Sequence, residues 1–287
     1  MNGKKALKTA AAAAAATTGL YLAAVSPRSK KDRVDRAPFL YKASSGEGTW
    51  LYAHRELHDN AGEAPENSMA AFQKAVDAGY GIELDVQLTK DKVPVVFHDN
   101  TLQRICKVPG CVSDYTFEEL QSFPLSTSQE RIPRFADVLQ LIHGQVPLIV
   151  EYKMETADTE VCVLGNELLT RYQGLYCIES FHPAAVHWYK KHRPDIMRGQ
   201  LSTDFVRESE YRRKPVYWLL TYLMFNFWTK PDFIAYDHHA ADNLSFRIAT
   251  KLLGALPVAW TIRSEEELEN ARKSFQIFIF DSFIPKE

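Results

Sequence analysis

What most limits the fold of this chain is an alternation of nine short β-branched or apolar runs with longer segments of helical period. The runs lie near residues 51–54, 81–86, 94–98, 147–152, 175–179, 196–200, 232–236, 257–261 and 277–281. Between the second and third only a few residues intervene, around Thr89 to Val93. A parallel crossover needs a dozen or more, so these two runs must form a hairpin turning near Asp91 and Lys92. Setting aside its return strand leaves eight, and eight parallel strands close into a TIM-type (β/α)8 barrel with an extra β-hairpin at the mouth. A chain of 287 residues invites a two-domain reading by length, but such barrels commonly reach ~250 residues as one unit. The expected barrel spans 49–287, and no internal repeat suggests a solenoid or propeller.

The N-terminal stretch is different in kind. Thr9 to Val25 carries no charge and includes seven consecutive alanines, Ala10 to Ala16, with Lys4, Lys5 and Lys8 before it and Arg28, Lys30, Lys31, Arg33 and Arg36 after it. Residues 1–25 are therefore expected to be an uncleaved hydrophobic anchor, making the protein membrane-associated on a side that basic flanks at both ends leave open. A cleaved signal segment and an Ala-rich soluble helix are the alternatives. Residues 26–48 read as a basic polar linker. Residues 1–36 hold eight Lys/Arg against two Asp/Glu, which leaves 26 basic and 34 acidic side chains for the rest. That acidic body disfavours nucleic acid as a partner, and an anionic ligand needs a local positive cluster. Four cysteines are too few for a disulfide scaffold. Cys106 and Cys111, which bracket a turn-forming Lys-Val-Pro-Gly, read more readily as small apolar side chains than as a disulfide.

The chemistry is concentrated at strand ends. In Gly81-Ile-Glu-Leu-Asp-Val86 the carboxylates Glu83 and Asp85 are two apart and share one face of a strand. In Leu148-Ile-Val-Glu-Tyr-Lys153 the pair Glu151 and Lys153 repeats the spacing with one acid and one base. Ionisable groups inside apolar runs are costly to bury alone, so they must be paired, ligated or neutralised. Three oxygen ligands without cysteine or spaced histidines favour Mg2+ or Ca2+ over zinc. His54 and Arg55 close the first strand, at the carboxyl end where these barrels build their sites. Antiparallel pairing brings His98, at the end of the return strand, back near Glu83. Two imidazoles beside a metal suit general acid–base work. His182, His238 and His239 lie near loop or strand ends and stay outside the expected site.

In order along the chain come His54-Arg55, Pro65-Glu66-Asn67-Ser68, Ala71-Phe72, Ile82-Glu83-Leu84-Asp85-Val86, Thr89-Lys90-Asp91, Pro94-Val95-Val96-Phe97-His98-Asp99 and Val150-Glu151-Tyr152-Lys153. Weaker echoes follow in Glu179-Ser180-Phe181, Arg193-Pro194-Asp195 and Trp260-Thr261-Ile262. As a set these resemble the glycerophosphodiester phosphodiesterases. The resemblance implies a phosphatidylinositol-phospholipase-like barrel, one divalent ion on Glu83, Asp85 and Glu151, His54 and His98 as the acid–base pair, and Arg55 and Lys153 as phosphate contacts. Three positions depart from the pattern: Glu56 replaces the usual Gly, Arg263 a common Asn, and Phe280-Asp281-Ser282 lacks the Gly-rich approach. Glu56 would repel the phosphate if it faced it and would be neutral if it faced solvent.

Charge balance points the same way. At 4 Å and an effective dielectric near 20, each carboxylate repels a phosphodiester by about 4 kcal/mol. One divalent ion with Arg55 and Lys153 restores near neutrality. The expected reaction is metal-dependent hydrolysis of a small glycerophosphodiester to glycerol 3-phosphate and an alcohol. Alternatives are a lysophospholipase D or sphingomyelinase-D-like activity on lysolipid, or a non-catalytic, membrane-tethered barrel that binds phosphopolyols. Metal identity and oligomeric state are open. The aromatic segment 215–228 reads as a crossover helix, with a lipid-facing role for Trp218, Phe225 and Trp228 as the alternative.

Overall fold

In the computed structural model, residues 2–42 and 48–286 are described. The strands are β1 (Tyr52–His54), β2 (Gly81–Leu88), β3 (Pro94–Val96), β4 (Leu148–Tyr152), β5 (Tyr176–Ser180), β6 (Arg198–Ser202), β7 (Phe233–Asp237), β8 (Leu256–Ile262) and β9 (Ile277–Phe280). All but β3 run parallel and form a ring, which closes because β1 pairs with both β9 and β2. β3 pairs antiparallel to β2, with Val86 opposite Val96 and Phe97 donating its N–H to the Asp85 carbonyl at 3.0 Å. The expected barrel and hairpin are thus both present. The turn is built locally: Thr89 hydroxyl donates to Asp91, Val93 N–H returns to that hydroxyl, and Lys92 takes φ 63°.

Strand alternation sorts β2 into two sets. Ile82, Leu84 and Val86 pack outward against Phe72, Val150, Ile178 and the helix Phe135–Ile142. Glu83 and Asp85 point the other way, into the barrel. Helix Met69–Asp77 covers β2 because Ser68 caps it, accepting from Ala71 N–H, and because Ala71, Phe72, Ala75 and Val76 form one apolar face. The lower barrel is filled by Tyr52, Ile149, Cys177, Phe233, Val258, Ile277 and Ile279, with Phe39 packed into the same cluster from outside the strands.

The N-terminal residues form a helix, Asn2–Ala24, but the expected anchor is overturned: among the described residues no helix is long and apolar enough to cross a membrane. The physical reason is that the uncharged run is short and made largely of alanine, whose transfer from water gains little. The end of this helix meets the barrel instead. Tyr21 hydroxyl lies 2.6 Å from Ser245 Oγ, and Asn226 donates to the Val25 carbonyl. Beyond it the basic segment runs along the barrel end opposite the mouth. Arg28 pairs with Asp232 at 3.3 Å, Arg33 donates to the carbonyls of Leu253 and Gly254, and buried Phe39 accepts the Tyr52 hydroxyl at its carbonyl. Residues 43–47 of the expected linker lie outside the described residues.

Segment 215–228 is broken into Pro215–Thr221 and a short turn of helix at Asn226–Thr229, with Leu223 at φ 55° between them. It is the β6-to-β7 crossover. All four cysteines, Cys106 and Cys111 included, are free.

Candidate active site

Strand register builds the site. In the parallel ladder His54 stands beside Glu83, Asp85 beside Glu151, and Glu151 beside Glu179. Neighbouring strands lie about 4.8 Å apart, so the barrel mouth carries a rung of three carboxylates, with Glu83 one pleat below Asp85 on the same face. Glu83, Asp85 and Glu151 each bring a carboxylate oxygen within 4.8 Å of the other two, and all three are buried. A cavity of about 130 Å³ opens above them, lined by His54, Arg55, Glu83, His98, Glu151 and Lys153, with Glu179, Trp260 and Arg263 on its far wall. All seven residues expected from sequence therefore converge.

The electrostatics are those of an excess of buried negative charge. Burial pushes the Glu83 carboxyl well above its ordinary range, and Asp85, Glu151 and Glu179 push it further. Glu151 is raised by burial despite Lys153, and Glu179 by burial and by Glu151. Asp85 goes the other way. Burial opposes its ionisation, but Lys153, His98 and Arg55 together hold its carboxyl well below the usual range. Lys153 Nζ sits 2.9 Å from Asp85 and 2.7 Å from Glu151. Both carboxylate oxygens of Glu179 are buried without a hydrogen-bond partner. An all-oxygen donor set with surplus negative charge fits a hard divalent cation such as Mg2+ or Ca2+.

Each histidine is held through Nδ1 by a carboxylate. His54 Nδ1 lies 3.2 Å from Asp281, and His98 Nδ1 lies 2.7 Å from Asp99. The two rings face each other nearly edge-on, centroids 6.5 Å apart. Burial lowers His54 to about 4, against the pull of Asp281. Arg55 N–H donates to Glu83 at 3.2 Å, and its guanidinium bonds Glu66 at 2.9 Å. Glu66 also accepts from Arg104, which grips Asp99 in turn, so Arg55 and His98 are tied through one alternating chain of charges.

Several of these partners were not expected from sequence. Asp281, Asp99 and Arg104 lie in loops or at strand ends, where an acid or base gives no signal of its own. Glu179 did give one, since it interrupts the apolar run of β5 as Glu83 and Glu151 interrupt theirs. Glu56 faces neither the active cavity nor solvent. It is buried, with its carboxylate turned back to accept the Asn67 N–H at 2.7 Å, and Asn67 Nδ2 reaches Asp85 at 3.5 Å. Arg55 and Glu56 hold φ of 52° and 65°, the conformation that ordinarily favours glycine, which explains why Gly suits this position elsewhere.

The chain is 30% identical over 180 residues to a glycerophosphodiester phosphodiesterase of Bacillus altitudinis, covering 58% of this chain and 72% of that one. It is 33% identical over 165 residues to a glycerophosphodiester phosphodiesterase of Caldanaerobacter subterraneus, covering 53% and 66%. The fold matches a phosphodiesterase of Oleispira antarctica, solved with its product sn-glycerol-3-phosphate, at TM-score 0.65 and 23% identity over 80% of this chain and 92% of that one. A sequence model of glycerophosphoryl diester phosphodiesterases matches residues 59–275, the span that runs from just after β1 almost to β9 and carries the carboxylate rung. With barrel, register and sequence in accord, the chain belongs to the glycerophosphoryl diester phosphodiesterase family and is a phosphoric diester hydrolase.

Proposed function

We propose that this protein cleaves glycerophosphodiesters to glycerol 3-phosphate and a free alcohol, with a divalent cation on Glu83, Asp85 and Glu151 and with His54 and His98 as the proton-transfer pair. The observation that carries this reading is that both imidazoles, each tethered at Nδ1 by its own carboxylate, flank the cavity above three buried carboxylates. A bound cation would offset the carboxylates and polarise the phosphoryl oxygens.

The chain's own residues do the rest. With Nδ1 engaged, the Nε2 atoms of His54 and His98 are the nitrogens left for proton transfer. His54, lowered by burial, is neutral at physiological pH, so its Nε2 is free to take the proton of the nucleophile, which is either water or the glycerol 2-hydroxyl; the latter gives a cyclic phosphate that a water then opens. His98 then donates to the departing alkoxide. Arg55 and Lys153 line the cavity; a cation on the carboxylates would release Lys153 from Asp85 and Glu151 to bind phosphate oxygens, while Arg55, held by Glu66, would present the rest of its guanidinium to them. Phe181, Leu201 and Trp260 give the cavity an apolar wall.

The test is release of glycerol 3-phosphate from glycerophosphocholine by the full chain, with Mg2+, with Ca2+ and with chelator. The reaction should need one of the ions and fall by about 10²- to 10⁴-fold in His54→Ala and in His98→Ala. Full activity in the double variant defeats the mechanism. A strong preference for lysophosphatidylcholine moves the assignment to a lysophospholipase D.

A further inference from the structure

Three groups of side chains among the described residues bring metal-ligating atoms together. The first is the carboxylate centre described above. The second, Glu66, His98 and Asp99, already contains a cation, because the Arg104 guanidinium lies between the two carboxylates. The third is Asp237, His238 and His239 at the C-terminal end of β7, whose ligand atoms all lie within 4.8 Å of one another. No Arg or Lys pairs with Asp237 or with the adjacent Glu267 among the described residues; the one ion-pair contact here is His238 with Glu267.

From these residues we infer a second cation site, built by Asp237, His238 and His239 with Glu267 beside His238, for a borderline transition-metal ion such as Zn2+. The donor chemistry separates it from the carboxylate centre: two imidazoles and a carboxylate suit Zn2+ and its neighbours, whereas three carboxylates suit Mg2+ or Ca2+. A second, independent observation points to a ligand. The His238 side chain is 7% exposed, and its Nε2 is buried with no hydrogen-bond partner. That atom faces Glu267 Oε2 at 3.6 Å, too long for a hydrogen bond. It is close to the spacing of about 3.4 Å that two ligands at about 2.0–2.1 Å subtend across a tetrahedral ion.

The surroundings already orient these donors. Asp237 accepts the His239 N–H at 2.9 Å through one oxygen and lies 3.2 Å from the Thr203 hydroxyl through the other, and Glu267 accepts the Arg263 N–H. The His238 and His239 rings pack against each other, centroids 3.8 Å apart, and each brings a ring nitrogen within 4.8 Å of the other and of Asp237. The site lies one strand from the active cavity, since Asp237 pairs with Trp260, and Trp260, Thr261 and Arg263 line that cavity. An ion there would fasten the ends of β7 and β8 to the helix Glu265–Ala271 and fix the cavity's far wall.

The test uses the untagged full chain, so that no purification histidines contribute. Equilibrium dialysis against Zn2+ should give two ions per wild-type chain and one in His238→Ala/His239→Ala. Co2+ provides the discriminating signal, because imidazole-bound four-coordinate Co2+ absorbs strongly in the visible and an oxygen-only centre does so weakly. The strong band should persist in Asp85→Asn/Glu151→Gln and vanish in the double histidine variant. His239→Ala alone, at an exposed position, should weaken Co2+ binding by about tenfold or more and serves if the double variant fails to fold. A wild-type chain without the strong band, or histidine variants that retain it, overturns the site.

Discussion

Asp281 places one carboxylate oxygen 3.2 Å from Nδ1 of His54 and the other 3.6 Å from Nε2 of His58. Burial disfavours its charge, yet the two imidazoles hold its carboxyl well below the usual range, so it is an anion at any pH at which the protein works. It fixes the His54 tautomer and directs Nε2 toward the cavity. Asp281→Asn should leave the fold intact and reduce kcat by about 10²-fold or more with little change in KM, since the ring loses orientation rather than substrate contact. Steady-state kinetics with glycerophosphocholine measures this, and an unchanged kcat would remove Asp281 from the catalytic apparatus.

Glu179 is the third carboxylate of the rung and has no partner of its own. Glu179→Gln should relieve repulsion, stabilising the metal-free protein by about 1 kcal/mol, while weakening Mg2+ or Ca2+ binding by about tenfold. Thermal melts in chelator and calorimetric titration give the two signs separately. If both quantities stay at wild-type values, Glu179 is electrostatically silent.

For Glu56 the important group is the acceptor oxygen, not the charge. Burial pushes its carboxyl well above the ordinary range, even though the Asn67 N–H favours the anion. Glu56→Gln keeps an oxygen facing that N–H and should be close to neutral. Glu56→Ala strands the N–H and should cost about 1–3 kcal/mol. Denaturant unfolding compares them, and equal losses in the two would show that the hydrogen bond to Asn67 contributes nothing.

The carboxylate centre makes stability depend on pH in a way that metal should suppress. Glu83, Glu151 and Glu179 have folded values above their ordinary ones, so the native state keeps protons that the unfolded chain has released. That stabilisation is complete below the ordinary carboxylate value and is lost as pH rises through the raised folded values. His54 has the opposite sign: with its folded value near 4, stability is lost as pH falls from about 6.5 toward 4. Of these groups only the carboxylates act above pH ~6.5. In chelator the melting midpoint should therefore fall as pH rises from about 6.5 to 8.5, and saturating Mg2+ or Ca2+ should flatten that slope. Identical slopes with and without metal would contradict the assignment of these carboxylates.

The barrel was legible in the chain because its signals are local: apolar runs of strand length, crossover segments long enough for helices, and one gap too short for any crossover. The acids at Glu83, Asp85 and Glu151 were legible for the same reason, since charge inside an apolar strand has few explanations. The N-terminal segment shows where local reading fails. An uncharged run resembles an anchor until its alanine content is weighed, and nothing in it foretold that Tyr21, Arg28, Arg33 and Phe39 would meet the far end of the barrel.

By itself, then, the sequence determined the strand count, the hairpin, and which acids and histidines face the mouth, because alternation and loop length act between near neighbours in the chain. Only the tertiary structure decided that Asp281 and Asp99 would grip the two imidazoles, that Glu179 would join the rung, and that Glu56 would turn back under Asn67. The Asp281 and Glu179 relationships depend on barrel closure and interstrand register, whereas Asp99 and Glu56 reach near neighbours through the local path of the chain. The former join groups up to 227 residues apart, and no spacing along the chain encodes such a distance.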